Sequence, residues 1–491
     1  MSAAASFSDE GAVVPSSRLT RRTLLISAVA ATFAGRGTAS AAPALALRSG
    51  SSTLNADFAW ARKRALDWVQ TGKPGTIPSY WAGLTNRPAF YSRDVAHQML
   101  GAHLLGLDAE NISMLKVFAA SATERRRWYP LWAFQFDGGI YRTDYKSDDN
   151  FVREVPAVFE LTEKGVRQYL WTADRAYVDD SVLWKYYGNS VNAFVTAHDD
   201  NRNGVADEDG TGKIFQGVAS YNEGGEGLLE AGDAIGSQYQ ALLAYSIAQR
   251  ARGDEAGARA TEARATALRA HFEKNWWSAS ANRYIRGFTK AGARTNFGKE
   301  NSWFLPMKGI TSPGTRTNAY LDFVHKSVSD LPPFNIEAYT YLPETFFRWG
   351  RVDQAWKWFR YVADSRAAYP EVSYTTIGNI AEGLLGIEPN APASALSTLP
   401  QLPSAVPWLE LDHIPLGKHD LAVRHDGTKS SALTHHSGPR PLVWTAQFSG
   451  RFDTALVNGQ RQPTKVSVVE GRTLSSVTIT VAPGAKATAS V

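Results

Sequence analysis

At 491 residues, 44% of them hydrophobic, the chain holds enough material for one large core and a smaller one, or for three modest ones. Its net charge of +5 is spread without a long Lys/Arg block, which argues against nucleic-acid binding. Cysteine is absent, so a disulfide frame, a thiol nucleophile and a Cys-ligated metal are excluded.

The first stretch reads as an address. Arg21 and Arg22 stand just ahead of a short apolar run, 24–34, and Ala39, Ser40 and Ala41 offer a small-residue cleavage site. The pattern resembles a twin-arginine export signal over 1–42, so the protein is expected to act in a secreted or extracytoplasmic setting. The run is too short to span a bilayer, and no membrane span is expected.

From 50 to 387 apolar residues recur at helical spacing in twelve segments, near 55–71, 90–106, 108–122, 155–172, 176–198, 226–252, 254–276, 297–309, 314–329, 335–349, 351–366 and 375–386. Connectors after the second, fourth, sixth and tenth segments are very short. Those before the second, fourth, sixth, eighth and twelfth are long and rich in Trp, Tyr, Asp, Glu and Gly. Helices that alternate up and down would gather the long loops on one open face. The expected fold is mainly α: an (α/α)6 toroid, six inner helices ringed by six outer ones. Residues 388–407 read as a Pro/Ala-rich linker. After it, 408–491 alternate with period two and carry turn signals, as a small antiparallel β-sandwich would. His435 and His436 fall there and read as surface polar residues rather than metal ligands.

The long loops hold the candidate chemistry. The first offers Tyr80, Trp81, Tyr91, Arg93 and Asp94; an Arg-Asp pair beside aromatics can donate to and accept from sugar hydroxyls, or simply cap a helix. Trp128, Trp132 and Arg153 follow in the second loop, where the two Trp are stacking platforms or core. The third reads as the front of a calcium loop, or as a solvated Asx-rich turn. Asp199, Asn201, Asn203 and Asp207 stand at relative positions one, three, five and nine, with Gly204 at six and the Val205 carbonyl at seven. Gly210 occupies position twelve, so Asp209 or a distant residue would have to supply the missing carboxylate of this structural calcium.

The stretch 221–230 then places Tyr221, Asn222, Glu223 and Glu226 where a polar loop is expected to enter the sixth helix. Later loops add Lys299, Glu300 and Trp303, then Glu337 and Tyr339, and finally Glu371 and Tyr374.

Phe90-Tyr91-Ser92-Arg93-Asp94 resembles the aromatic-x-Arg-Asp motif of glucoamylase-like (α/α)6 glycosidases. With the twelve-helix layout and the C-terminal β-region, the chain resembles the six-hairpin glycosidases, α-L-rhamnosidase relatives among them. Many rhamnosidases carry a large β-domain ahead of the toroid, and none is expected here. The resemblance implies that Arg93 and Asp94 grip a terminal sugar. It also implies a general acid before the sixth helix, Glu223 or Glu226, and a base before the twelfth, Glu371, with Glu337 as the reserve. The activity so implied is inverting, exo-acting hydrolysis of a terminal rhamnose- or uronate-type sugar from oligo- or polysaccharide, with no catalytic cofactor. Two other readings stay open. One is a polysaccharide lyase drawing on Tyr91, Arg93 and His97; the other is a carbohydrate-binding protein without catalysis.

Overall fold

A computed structural model describes residues 44–222, 227–298, 300–333 and 335–491. The export stretch 1–42, Glu223, Glu226 and Lys299 lie outside the described residues. No described helix is long and apolar enough to cross a membrane.

Twelve principal helices follow one another: α1 (Ser52–Asp67), α2 (Ser92–Leu104), α3 (Asp108–Ser121), α4 (Val155–Thr172), α5 (Ser181–Val191), α6 (Gly232–Ala251), α7 (Glu255–Asn275), α8 (Glu300–Met307), α9 (Thr315–Asp330), α10 (Leu342–Arg348), α11 (Val352–Ser365) and α12 (Pro370–Gly378). The even-numbered helices form a closed inner ring. α2 packs on α4, α4 on α6, α6 on α8, and α8 on α10. α10 then meets Asn379–Leu384, the π-helical continuation of α12, and α12 returns to α2. The odd-numbered helices lie outside them.

The sequence accounts for the two layers. In α11 the buried residues Ala355, Trp358, Phe359, Val362 and Ala363 fall at three- and four-residue spacing, one face of an outer helix. α6 is buried on nearly every side, and Ala, Gly and Ser at many positions let its neighbours approach. Close approach is tightest at Gly101 of α2, where a Cβ would stand 2.2 Å from the Tyr374 carbonyl oxygen of α12. Polar caps start three of the outer helices: Ser51 accepts from Leu54 N–H before α1, and Asp180 and Asp254 do the same work before α5 and α7. The short turns after α2, α6 and α10 pass through Gly106, Gly253 and Gly350 with φ of 80°, 82° and 68°, the left-handed geometry that ends a helix without a Cβ penalty.

Several expected boundaries move. The sixth helix begins at Gly232 rather than near 226, because Leu228–Ala231 form a strand paired with Gly287–Thr289. The fifth segment divides into Ala176–Asp179, α5 and Ala193–Ala197, and the tenth into Glu337–Thr340 and α10. The twelfth starts earlier, with Pro370 in its first turn, where a missing N–H costs nothing.

The C-terminal strands are β2 (Glu388–Asn390), β3 (Ala395–Thr398), β4 (Trp408–Leu416), β5 (His419–Asp426), β6 (Ser430–Ser437), β7 (Leu442–Ser449), β8 (Thr454–Val457), β9 (Gln460–Pro463), β10 (Lys465–Val469), β11 (Arg472–Val481) and β12 (Lys486–Ser490), joined by the N-terminal β1 (Ala46–Ser49). They make two sheets, ordered β1-β4-β5-β6-β12-β8-β9 and β2-β3-β7-β11-β10. The stretch 388–407, read as a linker, therefore contributes two strands to the smaller sheet. β1 pairs with β4, Ala46 opposite Asp412, so the sheets draw on both ends of the described chain. Leu409, Leu411 and Leu433 of one sheet and Trp444 and Phe448 of the other share one apolar core with the helices.

Candidate active site

The first turns of the inner helices bring the acids together. Asp94 lies in the first turn of α2, Glu371 in that of α12, and Glu337 in the short helix ahead of α10. Their carboxylates converge until one oxygen of each lies within 4.8 Å of the others, and all three are buried. Helix N-termini favour negative charge there, but three carboxylates so close cannot all ionise without counter-charges.

Two cations answer them. Arg93 forms a buried ion pair with Glu337, and its guanidinium lies 4.7 Å from the Tyr221 ring. His97, one turn along α2, bonds through Nδ1 to Glu371 Oε1 and places Nε2 3.6 Å from Glu344. Its ring lies flat on Tyr341, centroids 3.9 Å apart. Burial opposes charge on His97, yet Glu371 and Glu344 outweigh it and raise its pKa to about 9. Burial raises Glu371 above the usual carboxylate range despite His97, with Glu337 adding to the rise. Asp94 is raised by burial and by Glu337 and Glu371, against Arg93 and a hydrogen bond donated by the Tyr369 hydroxyl. The triad has the donors for a metal, but Arg93 and His97 already supply its positive charge.

Beneath this cluster an ionic ladder crosses the ring. Lys308 contacts Glu160 and Glu163 at 2.5 and 2.6 Å, and Lys164 lies 3.5 Å from both Glu163 and Glu344. The Tyr221 hydroxyl donates to Glu160 at 2.5 Å. Asp233 in the first turn of α6 accepts the Ser220 hydroxyl and the Tyr221 N–H at 2.9 and 2.7 Å, anchoring the chain just before 223–226. Sequence reasoning missed Asp233, Glu160, Lys164 and Lys308. For Glu160 and Lys164 the signal was charge on an inner helix that is buried along most of its length. Glu344 braces both His97 and Lys164.

Of the expected site residues, Arg93, Asp94, Tyr221, Glu337 and Glu371 share this cluster. Asn222 follows, nearly buried, its N–H donated to Ser220. Trp132 is buried and donates to Glu154, the residue before α4, at 2.8 Å. Others are placed elsewhere. Tyr80 and Tyr374 are core residues in contact with each other, their hydroxyls taken by Asn111 and the Ala65 carbonyl. Trp303 is fully buried in the core. Tyr339 stacks on Tyr361 of α11. Trp128 lines a separate groove between α3 and α5. Trp81 packs half-buried between Trp68 and Phe136. Arg153 covers Phe151 and donates to the Gln216 carbonyl. Glu300 opens α8. Tyr91 packs on Trp132 and donates to Asp144, so the lyase set of Tyr91, Arg93 and His97 is split among three different partners.

A cavity of about 590 Å³ lies at the opposite end of the ring, against the sheets, and is lined by Leu100, Arg167, Glu382 and Arg472. It meets the carboxylate cluster only through His97 and Glu344.

The stretch 199–207, expected to hold calcium, folds on itself and on Glu230. Asp199 accepts the N–H groups of Asn203 and Gly204, and buried Asp207 accepts that of Asp200 at 3.0 Å. Glu230 Oε1 takes the side-chain amides of Asn201 and Asn203, both at 2.6 Å. Glu230 thus ties the loop to the strand Leu228–Ala231 from outside it. Asp209, the nearer candidate, instead accepts the Thr211 N–H.

No protein-family profile and no curated protein matches the sequence. Solved structures do match. A GH78 family rhamnosidase of Bacillus sp. GL1 superposes with a TM-score of 0.60 at 13% identity, over 79% of this chain and 40% of its own. An alpha-L-rhamnosidase from Dictyoglumus thermophilum gives 0.60 at 10%, over 91% of this chain and 50% of its own. A rhamnosidase from Klebsiella oxytoca with rhamnose bound gives 0.52 at 15%, over 69% and 66%. The chain has the fold of the six-hairpin toroid glycosidases. It spans about half or less of the first two relatives' length, and at these identities the likeness is one of fold.

Proposed function

We propose that the protein is an exported, inverting, exo-acting glycoside hydrolase that removes a terminal sugar from oligo- or polysaccharide. The observation that carries this reading is the convergence of Asp94, Glu337 and Glu371 within 4.8 Å, held by Arg93 and His97 at one mouth of the ring. Glu371 is the base: His97 holds one oxygen, while the buried Oε2 has no hydrogen-bond partner among the described residues, which leaves it to face the reacting water. Glu337, tied to Arg93, is the reserve. The acid is Glu223 or Glu226. Asp233 anchors Ser220 and Tyr221 before them, and the strand Leu228–Ala231 pairs with Gly287–Thr289 after them. Arg93 and Asp94 orient the sugar. Because Glu337 matches the Arg93 charge, a neutral rhamnose-type sugar is favoured over a uronate. A calcium ion bound by Asp199, Asn201, Asn203, the Val205 carbonyl, Asp207 and Glu230 stiffens the loop beside the acid, with its oxygen-rich donor set suited to that ion.

The test is a panel of polysaccharides and aryl glycosides with product anomers followed by NMR, run beside Glu223→Gln, Glu226→Gln and Glu371→Gln. Inversion is expected, with kcat falling about 10²–10⁴-fold in Glu371→Gln and in one of the other two. Retention of configuration, or three variants matching the parent, would overturn the assignment.

A further inference from the structure

We propose that Asp412, His413 and His436 form a binding site for a borderline divalent metal ion, zinc above all, on the solvent face of the larger sheet. The nearest ligand atoms of the three, two imidazole nitrogens and a carboxylate oxygen, lie within 4.8 Å of one another. A tetrahedral zinc with bonds of about 2.1 Å needs them about 3.4 Å apart, a contraction within reach of solvent-facing side chains.

The backbone is bent to make this set. β4 buries every second residue until the register with β5 shifts between Leu411 and Ile414. The bulge leaves both Asp412 and His413 on the open side, whereas strict alternation would bury one of them. His413 holds φ of +60° to do so, a left-handed conformation uncommon outside glycine and asparagine. From β6, two strands away, His436 reaches across and sets Nε2 2.7 Å from Asp412 Oδ1. The two imidazoles face each other at 5.1 Å.

A second acid sets the chemistry. His413 Nδ1 lies 3.0 and 3.3 Å from the two oxygens of Asp420. A carboxylate on Nδ1 fixes the proton there and leaves the Nε2 lone pair for a metal, the arrangement that orients ligand histidines in zinc proteins. Two imidazoles and one carboxylate suit zinc, and water would complete the coordination. Arg48 also faces Asp412, 3.5 Å from Oδ2, but its shorter contact is to Glu410, which Arg424 approaches at 3.8 Å. Neighbouring His435 is different. It is fully buried, with both ring nitrogens engaged by His419 and the Val481 carbonyl, which corrects its reading as a surface residue.

The experiment is calorimetric titration of zinc into untagged, chelator-stripped full-length protein at pH 7.5, with and without excess calcium. One equivalent at low-micromolar affinity is expected, indifferent to calcium, together with a zinc-dependent rise in Tm. His413→Ala and His436→Ala should lose that equivalent, and Asp420→Asn should weaken it about 10–100-fold. Melting curves in chelator establish that each variant is folded; His436→Gln replaces His436→Ala should the latter not fold. Absence of the equivalent in the parent, its persistence in both histidine variants, or its displacement by calcium would overturn the site.

Discussion

His97 and Glu371 form a buried ion pair at the floor of the carboxylate cluster, the Nδ1 of one against Oε1 of the other. The folded-state pKa of His97, raised to about 9, exceeds the unfolded value of about 6.5. The stability it contributes is therefore fully present below pH 6.5 and is lost as pH rises through 9. His97→Gln should remove this component. The difference in Tm between parent and variant should be largest near pH 6 and shrink steadily toward pH 9.5, as followed by melting curves across that range.

Arg93 is the counter-charge that lets Glu337 stay buried. Arg93→Met leaves an enclosed carboxylate without its cation and should destabilise the protein by about 3–5 kcal/mol in urea titrations. Adding Glu337→Gln to Arg93→Met should recover part of that loss. Additive effects of the two substitutions would show that the pair is not coupled.

Helix packing gives a prediction independent of function. Gly101→Ala would set a methyl group 2.2 Å from the Tyr374 carbonyl, backbone that cannot swing aside. The α2–α12 contact must then open, at a cost of about 1–3 kcal/mol, even though alanine favours helix more than glycine. A rise in Tm would refute the tight packing of these two helices.

The proposed calcium site should respond to both ion and pH. Burial, with Asp199, Asp200 and Glu230 near, raises Asp207 to about 6, so in calcium-free buffer its ionisation costs stability as pH climbs from about 4 through 6. Bound calcium needs the carboxylate and should reverse that trend. Millimolar calcium is expected to raise Tm at pH 7.5 and scarcely at pH 4.5. Glu230→Gln and Asp207→Asn should each abolish the rise.

The fold was legible because its two signals were strong: helical spacing sustained over more than three hundred residues, and short turns alternating with long loops. Gly106, Gly253 and Gly350 marked those turns and took the left-handed geometry expected of them. Less could be read where strands are short. Leu228–Ala231 pair with a hairpin nearly sixty residues later, a partner no local pattern announces. Pro389 and Pro392 made 388–407 look like a linker, although edge positions tolerate proline and β2 is an edge strand. Of the residues chosen by type, Arg93, Asp94, Glu337 and Glu371 come together in one cluster, whereas several chosen aromatics lie in the core. Tyr80, Trp303 and Tyr374 are as apolar as they are polar, and in a double-layered ring most loop-adjacent rings face inward to the core.

β1 is made early and pairs with a strand synthesised far later: Arg48 meets its partner Glu410 across 362 residues. The seven-stranded sheet therefore cannot close while the chain is still emerging from the ribosome. A truncation that removes β4 would strand β1 as well, exposing an unpaired edge ahead of an otherwise complete ring. Loss of residues 408–491 should thus appear as aggregation of the whole protein rather than as the tidy excision of an accessory module.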